Sequence, residues 1–229
     1  MRQVGVLLVG SMGLVAIAQG AAPLATDDTG VLEARACEIE IYGQRQRATA
    51  NDPVRAVSTA FGCGIGMHSQ IGIGYARAAS DGALDDAVGV SGKTGLFAAD
   101  AASPFALALA WRLTALRVAG SGFRHEGSAI TLVASRQLGI GITAHANLGW
   151  AHRRQTHASS TTWNLAAEAA LGAGFEALAE VYGDDRGRPW RALGARWSPT
   201  ERVGFGVAWA QPPAHPRSGT ASAGVRLGF

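Results

Sequence analysis

Polar side chains capable of chemistry recur on one face only of otherwise apolar, alternating stretches. Glu40 lies between Ile39 and Ile41, and Lys93, Arg112, His145, Asn147, Glu168, Glu180, Arg196 and Arg226 each stand between small or apolar neighbours. Charges of both signs on one side of an apolar strand need water or one another. A polar lumen supplies both. There the charges would hold water and set a local field that selects which solute enters, as rings of charge do in pores. The same side chains closed into inter-strand salt bridges would plug the bore, and both alternatives stay open at this point.

Other chemistries find little support. Ser91-Gly92-Lys93-Thr94 looks like the tail of a phosphate loop, but the first glycine of that pattern falls on Ala87 and no strand-turn-helix surrounds it. The Gly-x-Gly runs at 62–66 and 72–74 lack a following helix. There is neither a nucleophile elbow nor a His-Glu-x-x-His pair, and His152 and His157, five apart, fall on opposite faces of a strand. The pairs Asp85-Asp86 and Asp184-Asp185, with His125 and His157, gather near one end of the alternating stretches. A carboxylate-oriented histidine there could activate water. Solvated loop charge that meets divalent cations or lipopolysaccharide head groups is the reading preferred. No catalytic residue, metal ligand or cofactor is assigned, and the chain is not expected to be an enzyme. With 20 basic against 17 acidic residues the formal charge is only +3, so no nucleic-acid partner is expected.

The elements that must position these side chains are strands. Arg2, an almost uncharged stretch from Val4 to Ala18 and small residues near Gly20-Ala21 make a signal-peptide layout, read as a cleaved segment over 1–20. That stretch is shorter than the roughly 20 residues of a spanning helix. Residues 21–34 are expected to form an N-terminal periplasmic segment and 35–229 a barrel. Period-two stretches recur at 36–47, 54–66, 70–79, 88–98, 104–118, 128–137, 140–153, 161–172, 175–183, 190–198, 202–210 and 219–229. Twelve is an even number, so both ends fall on one side, with short turns there and longer loops opposite. The expected fold is all-β, a transmembrane antiparallel up-and-down barrel of about 12 strands. Its outward face carries Ile39, Phe61, Ile73, Trp111, Leu148 and Val207. Trp150, Trp163, Trp190, Trp197 and Trp209 would form aromatic girdles. The 31 glycines keep the period and suit a narrow lumen. A soluble β-sandwich is the alternative.

Cys37 and Cys63 are the only cysteines, and export would place them in an oxidising compartment. A hairpin about Ala50–Asn51 brings them nearly face to face, at a distance a disulfide bridges. Two free lipid-facing thiols are the alternative.

Ala25-Thr26-Asp27-Asp28-Thr29-Gly30 followed by Cys37-Glu38-Ile39-Glu40, an inward Lys93, then Thr143-Ala144-His145-Ala146-Asn147-Leu148-Gly149-Trp150 and the final Phe229 follow one another in an order that resembles the outer-membrane transporter family labelled "MetA pathway of phenol degradation". The resemblance implies a barrel in the bacterial outer membrane and passage of small solutes, aromatic or hydrophobic ones included. A structural or adhesive barrel with a closed lumen, or a rim-site enzyme, are the other readings. The expected partners are outer-membrane lipid and lipopolysaccharide, the small solute, and the barrel-assembly machinery, which would read an amphipathic last strand ending on Phe229.

Overall fold

Period-two alternation over this length can bury one face by curling the sheet shut, and it does. The computed structural model describes residues 23–47, 53–80, 83–99, 103–118, 121–212 and 218–229; the expected signal segment 1–20 lies outside them. The strands are β1 (Cys37–Arg47), β2 (Val54–Gly66), β3 (Ser69–Ser80), β4 (Ala83–Phe97), β5 (Phe105–Arg117), β6 (Arg124–Gly139), β7 (Ile142–Arg153), β8 (Ala158–Gly172), β9 (Phe175–Asp184), β10 (Trp190–Thr200), β11 (Val203–Gln211) and β12 (Gly219–Gly228). Each pairs with the next, antiparallel, and β12 returns to β1 to close the barrel.

At the seam Ile39 faces Leu227, Glu40 faces Arg226 and Ile41 faces Val225. The rim where β1 begins and β12 ends is called the near rim below, and the opposite one the far rim. Cys37 and Phe229 exchange two backbone hydrogen bonds there, of 2.8 and 2.9 Å. Cys37 is also the register partner of Cys63 across β1 and β2, and the two form a disulfide with Cα atoms 4.1 Å apart.

The near-rim connections are tight. Met67 and His68 both adopt positive φ, 51° each, between β2 and β3, and Gly172, Ala173 and Gly174 do so between β8 and β9. Two consecutive left-handed residues match the twist of the flanking strands.

The exterior exposes Ile73, Leu113, Leu148, Leu165, Leu193 and Val207, among other large apolar side chains. An apolar band of this extent around a closed barrel is a lipid-facing surface. Trp197 stacks between Phe175 and Phe205 near the near rim, each ring 5.6 Å away. Trp190 departs from the girdle expected of it. It is the register partner of Tyr182 on the lumen side and stacks on that ring.

Three strands start three or more residues before their apolar pattern suggests, β4 at Ala83 rather than 88, β6 at Arg124 rather than 128 and β8 at Ala158 rather than 161. Asp85 and Asp86 read as loop because they are acidic. Asp86 instead sits in register with Arg77 on β3 and Arg117 on β5, which keep an acid in a strand.

Candidate functional site

The bore is occupied by the protein's own chain. Residues 23–36 run along the inner wall from β9 to β2 and turn at Arg35, whose φ is 73°, to start β1. A stretch without secondary structure inside a barrel must find partners for its peptide groups. The strands supply them from inward side chains.

At the inner end, the carboxylate of Glu180 on β9 accepts from the Ala25 N–H at 2.9 and 3.0 Å, the Thr26 N–H at 2.9 Å and the Thr26 hydroxyl at 2.8 Å. Asn164 on β8 donates to the Ala25 carbonyl at 3.0 Å. Leu24 is buried against Ala166 and Leu178, so the segment has an apolar anchor beside its polar one. Next, the Asn147 side-chain amide on β7 brackets one residue, accepting from the Asp27 N–H at 2.7 Å and donating to its carbonyl at 3.0 Å.

Lys93 on β4 meets the two acids. Its Nζ lies 3.0 Å from Asp27 Oδ1, 3.1 Å from the Asp28 carbonyl and 3.5 Å from Asp28 Oδ1. The lysine is 2% exposed, so without these acids a charge would stand unpaired out of water. Burial pushes the Asp27 carboxyl up to about 6, against the pull of Lys93 and of Arg112 on β5. Burial works the same way on Asp28, but Lys93 and the Gly30 N–H outweigh it and hold that carboxyl below its ordinary value.

Towards the near rim, Thr29 donates its N–H to Ser135 Oγ on β6 at 3.1 Å, and Leu32 donates to Gln70 Oε1 on β3 at 2.7 Å. Gly64 on β2 then exchanges hydrogen bonds with Arg35 and Ala36, at 3.0 and 2.9 Å.

A second network continues across the wall. Ser135 Oγ lies 2.8 Å from His145 Nδ1, and His145 Nε2 lies 3.8 Å from Glu168. Arg196 bridges Glu168 at 2.8 Å and Glu176 at 3.0 Å. Arg226 faces Glu38 at 3.8 Å across the seam. Glu40 is buried near the same seam.

All nine candidate side chains therefore line the lumen, in two sets. Lys93, Arg112, Asn147 and Glu180 act on residues 25–28 directly, and His145 reaches Thr29 through Ser135. Glu168, Arg196, Glu40 and Arg226 stand along or beside the opposite wall. The segment 21–34, expected to lie in the periplasm, has its described part inside the barrel instead, because its carboxylates and peptide N–H groups find their partners there. Ser135, Gln70 and Gly64 were not singled out from the sequence. Each falls on the inward parity of its strand, which was the available signal.

Between the segment and the wall of β1 and β10–β12 a cavity of about 400 Å³ remains. Glu38, Glu40, Tyr42, Arg196 and Arg226 line it, with Asp28 and Lys93 on the segment's side. The acidic pairs near the far rim do not converge on a histidine. Asp86 is tied to arginines on β3 and β5, and Asp184 caps the Arg186 and Gly187 N–H groups at 3.0 and 2.8 Å. Among the described residues, no group of three or more His, Cys, Asp or Glu could hold a metal ion.

Similar architectures occur among solved structures. The KdgM porin in complex with disordered oligogalacturonate has a TM-score of 0.67 at 9% identity, over 84% of this chain and 99% of that one. The NanC porin has 0.60 at 8%, over 82% and 98%. The COG4313 outer membrane channel from Pseudomonas putida F1 has 0.59 at 11%, over 88% and 98%. At these identities the likeness is one of fold. No curated protein matches the sequence. The family described as "Uncharacterised conserved protein UCP029691" matches residues 8–212, and the chain belongs to that family.

Proposed function

We propose that the protein is an outer-membrane channel for small solutes whose bore is held closed by residues 23–36. The observation that carries this reading is the grip of Lys93 on Asp27 and Asp28, and of Glu180 on Ala25 and Thr26, inside a closed barrel with an apolar exterior. A barrel needed only as a scaffold could fill its lumen with its own wall side chains. This one closes its lumen with a separable stretch, held by hydrogen bonds that water can replace.

The likeness to porins supports the outer membrane as the location, with the near rim facing the periplasm. The polar cavity beside the segment favours solutes that bear charge or hydrogen-bonding groups. Hydroxylated aromatic compounds, of the kind implied by the resemblance to the MetA family, fall within that class. Glu40, Arg196 and Arg226, which line that cavity, would then select solutes there, and Lys93 and Glu180 would set how readily the segment gives way. Phe229, at the seam, is the group the barrel-assembly machinery would read.

The second reading, a permanently closed structural barrel, is favoured by the pairing of Arg196 with both Glu168 and Glu176. Planar-bilayer recording separates the two. The full chain should conduct rarely, and a variant lacking residues 23–33 should conduct steadily. Two variants equally silent would leave the closed barrel.

A further inference from the structure

The outer wall of a spanning barrel should carry few charges, yet four arginines stand on it towards the far rim, in two register rows two residues apart. Their register fixes them there. Arg45 faces Arg55, Val57 faces Arg77, Arg77 faces Asp86, and Asp86 faces Arg117, all on the parity of the exposed Ile41, Tyr75 and Leu113. Asp86, 5% exposed, holds Arg77 at 2.7 Å and Arg117 at 2.5 Å, and the Tyr75 hydroxyl donates to the same carboxylate. Both guanidinium side chains stay about half exposed, 51% and 41%, so their remaining donors point away from the wall. Arg45 and Arg55 oppose each other directly, and among the described residues neither has a carboxylate partner. Like charges directly opposite destabilise a strand pair. An anion seated between them removes that cost.

Beside these rows, towards the middle of the membrane, the wall is hollowed. An apolar groove of about 690 Å³ crosses the same strands, from Ile39 on β1 to Leu113 on β5. The short side chains of Thr59, Val88 and Ala115, the longer Phe61 and Tyr75, and His125 on β6 line it. Cationic rows directly above a hydrocarbon groove are the complement of a phosphorylated lipid.

We propose that this face binds a bis-phosphorylated glycolipid of the outer leaflet, with its phosphates on the four arginines and acyl chains in the groove. Strands about 4.8 Å apart spread β1 to β5 over roughly 19 Å. That is too wide for one phosphodiester headgroup and suits one that bears two phosphates. Guanidinium groups bind phosphate oxygens in pairs, and Asp86 presets two of them at the cost of one charge. The proposal rests on the outer-membrane location argued above.

The test uses the full chain refolded in detergent, with bound lipid read by native mass spectrometry. Lipid A with both phosphates should bind about tenfold more tightly than its monophosphoryl form or phosphatidylglycerol. Replacing Arg45→Gln with Arg55→Gln should remove about tenfold of that affinity, and R77Q with R117Q should do the same. Where the second pair fails to give a folded band on an unheated gel, the first decides, because it strands no buried carboxylate. A115W, which fills the groove without changing charge, should also weaken binding. Equal retention of phosphatidylglycerol, or undiminished lipid A binding by the R45Q/R55Q variant, overturns the site. Binding is read without conductance, so a barrel that conducts but ignores lipid A refutes this site alone. One that binds lipid A and stays silent refutes the channel alone.

Discussion

Gly64 and Glu33 approach so closely that a Cβ built on Gly64 would lie 2.0 Å from the Glu33 carbonyl oxygen and 2.4 Å from that of Leu32. The segment and β2 therefore meet backbone to backbone, with the Ala34 to Gly64 bridge between them. No rotamer relieves such an overlap. Gly64→Ala should lift residues 31–36 off β2 and leave the barrel intact, since the position lies within β2 and its Cα stays in register with Gln70. Single-channel open probability should rise at least about tenfold, equivalent to about 1.4 kcal/mol. The folded band on an unheated gel should not move. A G64A variant that stays as closed as the parent would show that this contact does not hold the segment.

Lys93 tests the polar half of the same grip. In Lys93→Met the carboxylates of Asp27 and Asp28 lose their shared cation, and breaking a buried pair costs about 3–5 kcal/mol. The barrel can shed that cost by releasing the segment to water. K93M should therefore conduct while its strands remain folded. Adding D27N and D28N removes the stranded charges, so the triple variant should close again. Labelling of a cysteine placed at Thr29 by a water-soluble maleimide reports the same change: fast in K93M, slow in the parent and in the triple variant.

Strand positions and facing were legible because period-two alternation is a direct consequence of strand geometry. The parity that placed Lys93, His145, Asn147 and Glu180 inward needed no knowledge of neighbours. Cys37 and Cys63 were legible through hairpin register for the same reason. What the lumen side chains hold was not. Ala25-Thr26-Asp27-Asp28 has the composition of a solvated connection, and only the folded wall reveals that Glu180 and Lys93 converge on it. Asp86 misled for a related reason, since an acid inside a strand is stabilised by arginines whose register is known only once β3, β4 and β5 are paired. Trp190 shows the limit of residue type as a guide. Its parity places it inward, against Tyr182, whatever the usual preference of tryptophan for interfaces.

Acidity should act on the segment through Asp27. Burial raises its carboxyl from an ordinary 3.8 to about 6 when the segment is docked, with Lys93 and Arg112 opposing and Asp28 reinforcing that shift. An acid with a raised value binds a proton more readily docked than free. Docking therefore takes up a proton between about pH 4 and pH 6, and the contribution of Asp27 to closure falls as pH rises through that window, then levels off. Asp28, held below its ordinary value, stabilises closure above about 3.8 and loses that effect only in stronger acid. Open probability should thus climb from pH 4 to 6 and stay flat to pH 8. In Asp27→Asn the climb should vanish. Should D27N retain it, another lumen carboxylate is responsible.

The disulfide acts on the barrel rather than on the gate. Cys37 and Cys63 are 26 residues apart, and closing a loop of that length removes about 3.5 kcal/mol of entropy from the unfolded chain at room temperature. Cys37 also carries both hydrogen bonds to Phe229, so the bridge secures the strand on which the seam closes. Replacing both cysteines with serine should lower the urea midpoint of the folded barrel by an amount that reducing agent reproduces in the parent. Conductance should stay unchanged, because the segment's ties to Lys93 and Glu180 lie deeper in the bore. A double-serine variant that unfolds at the parent's midpoint would mean that the barrel's closure alone holds the seam.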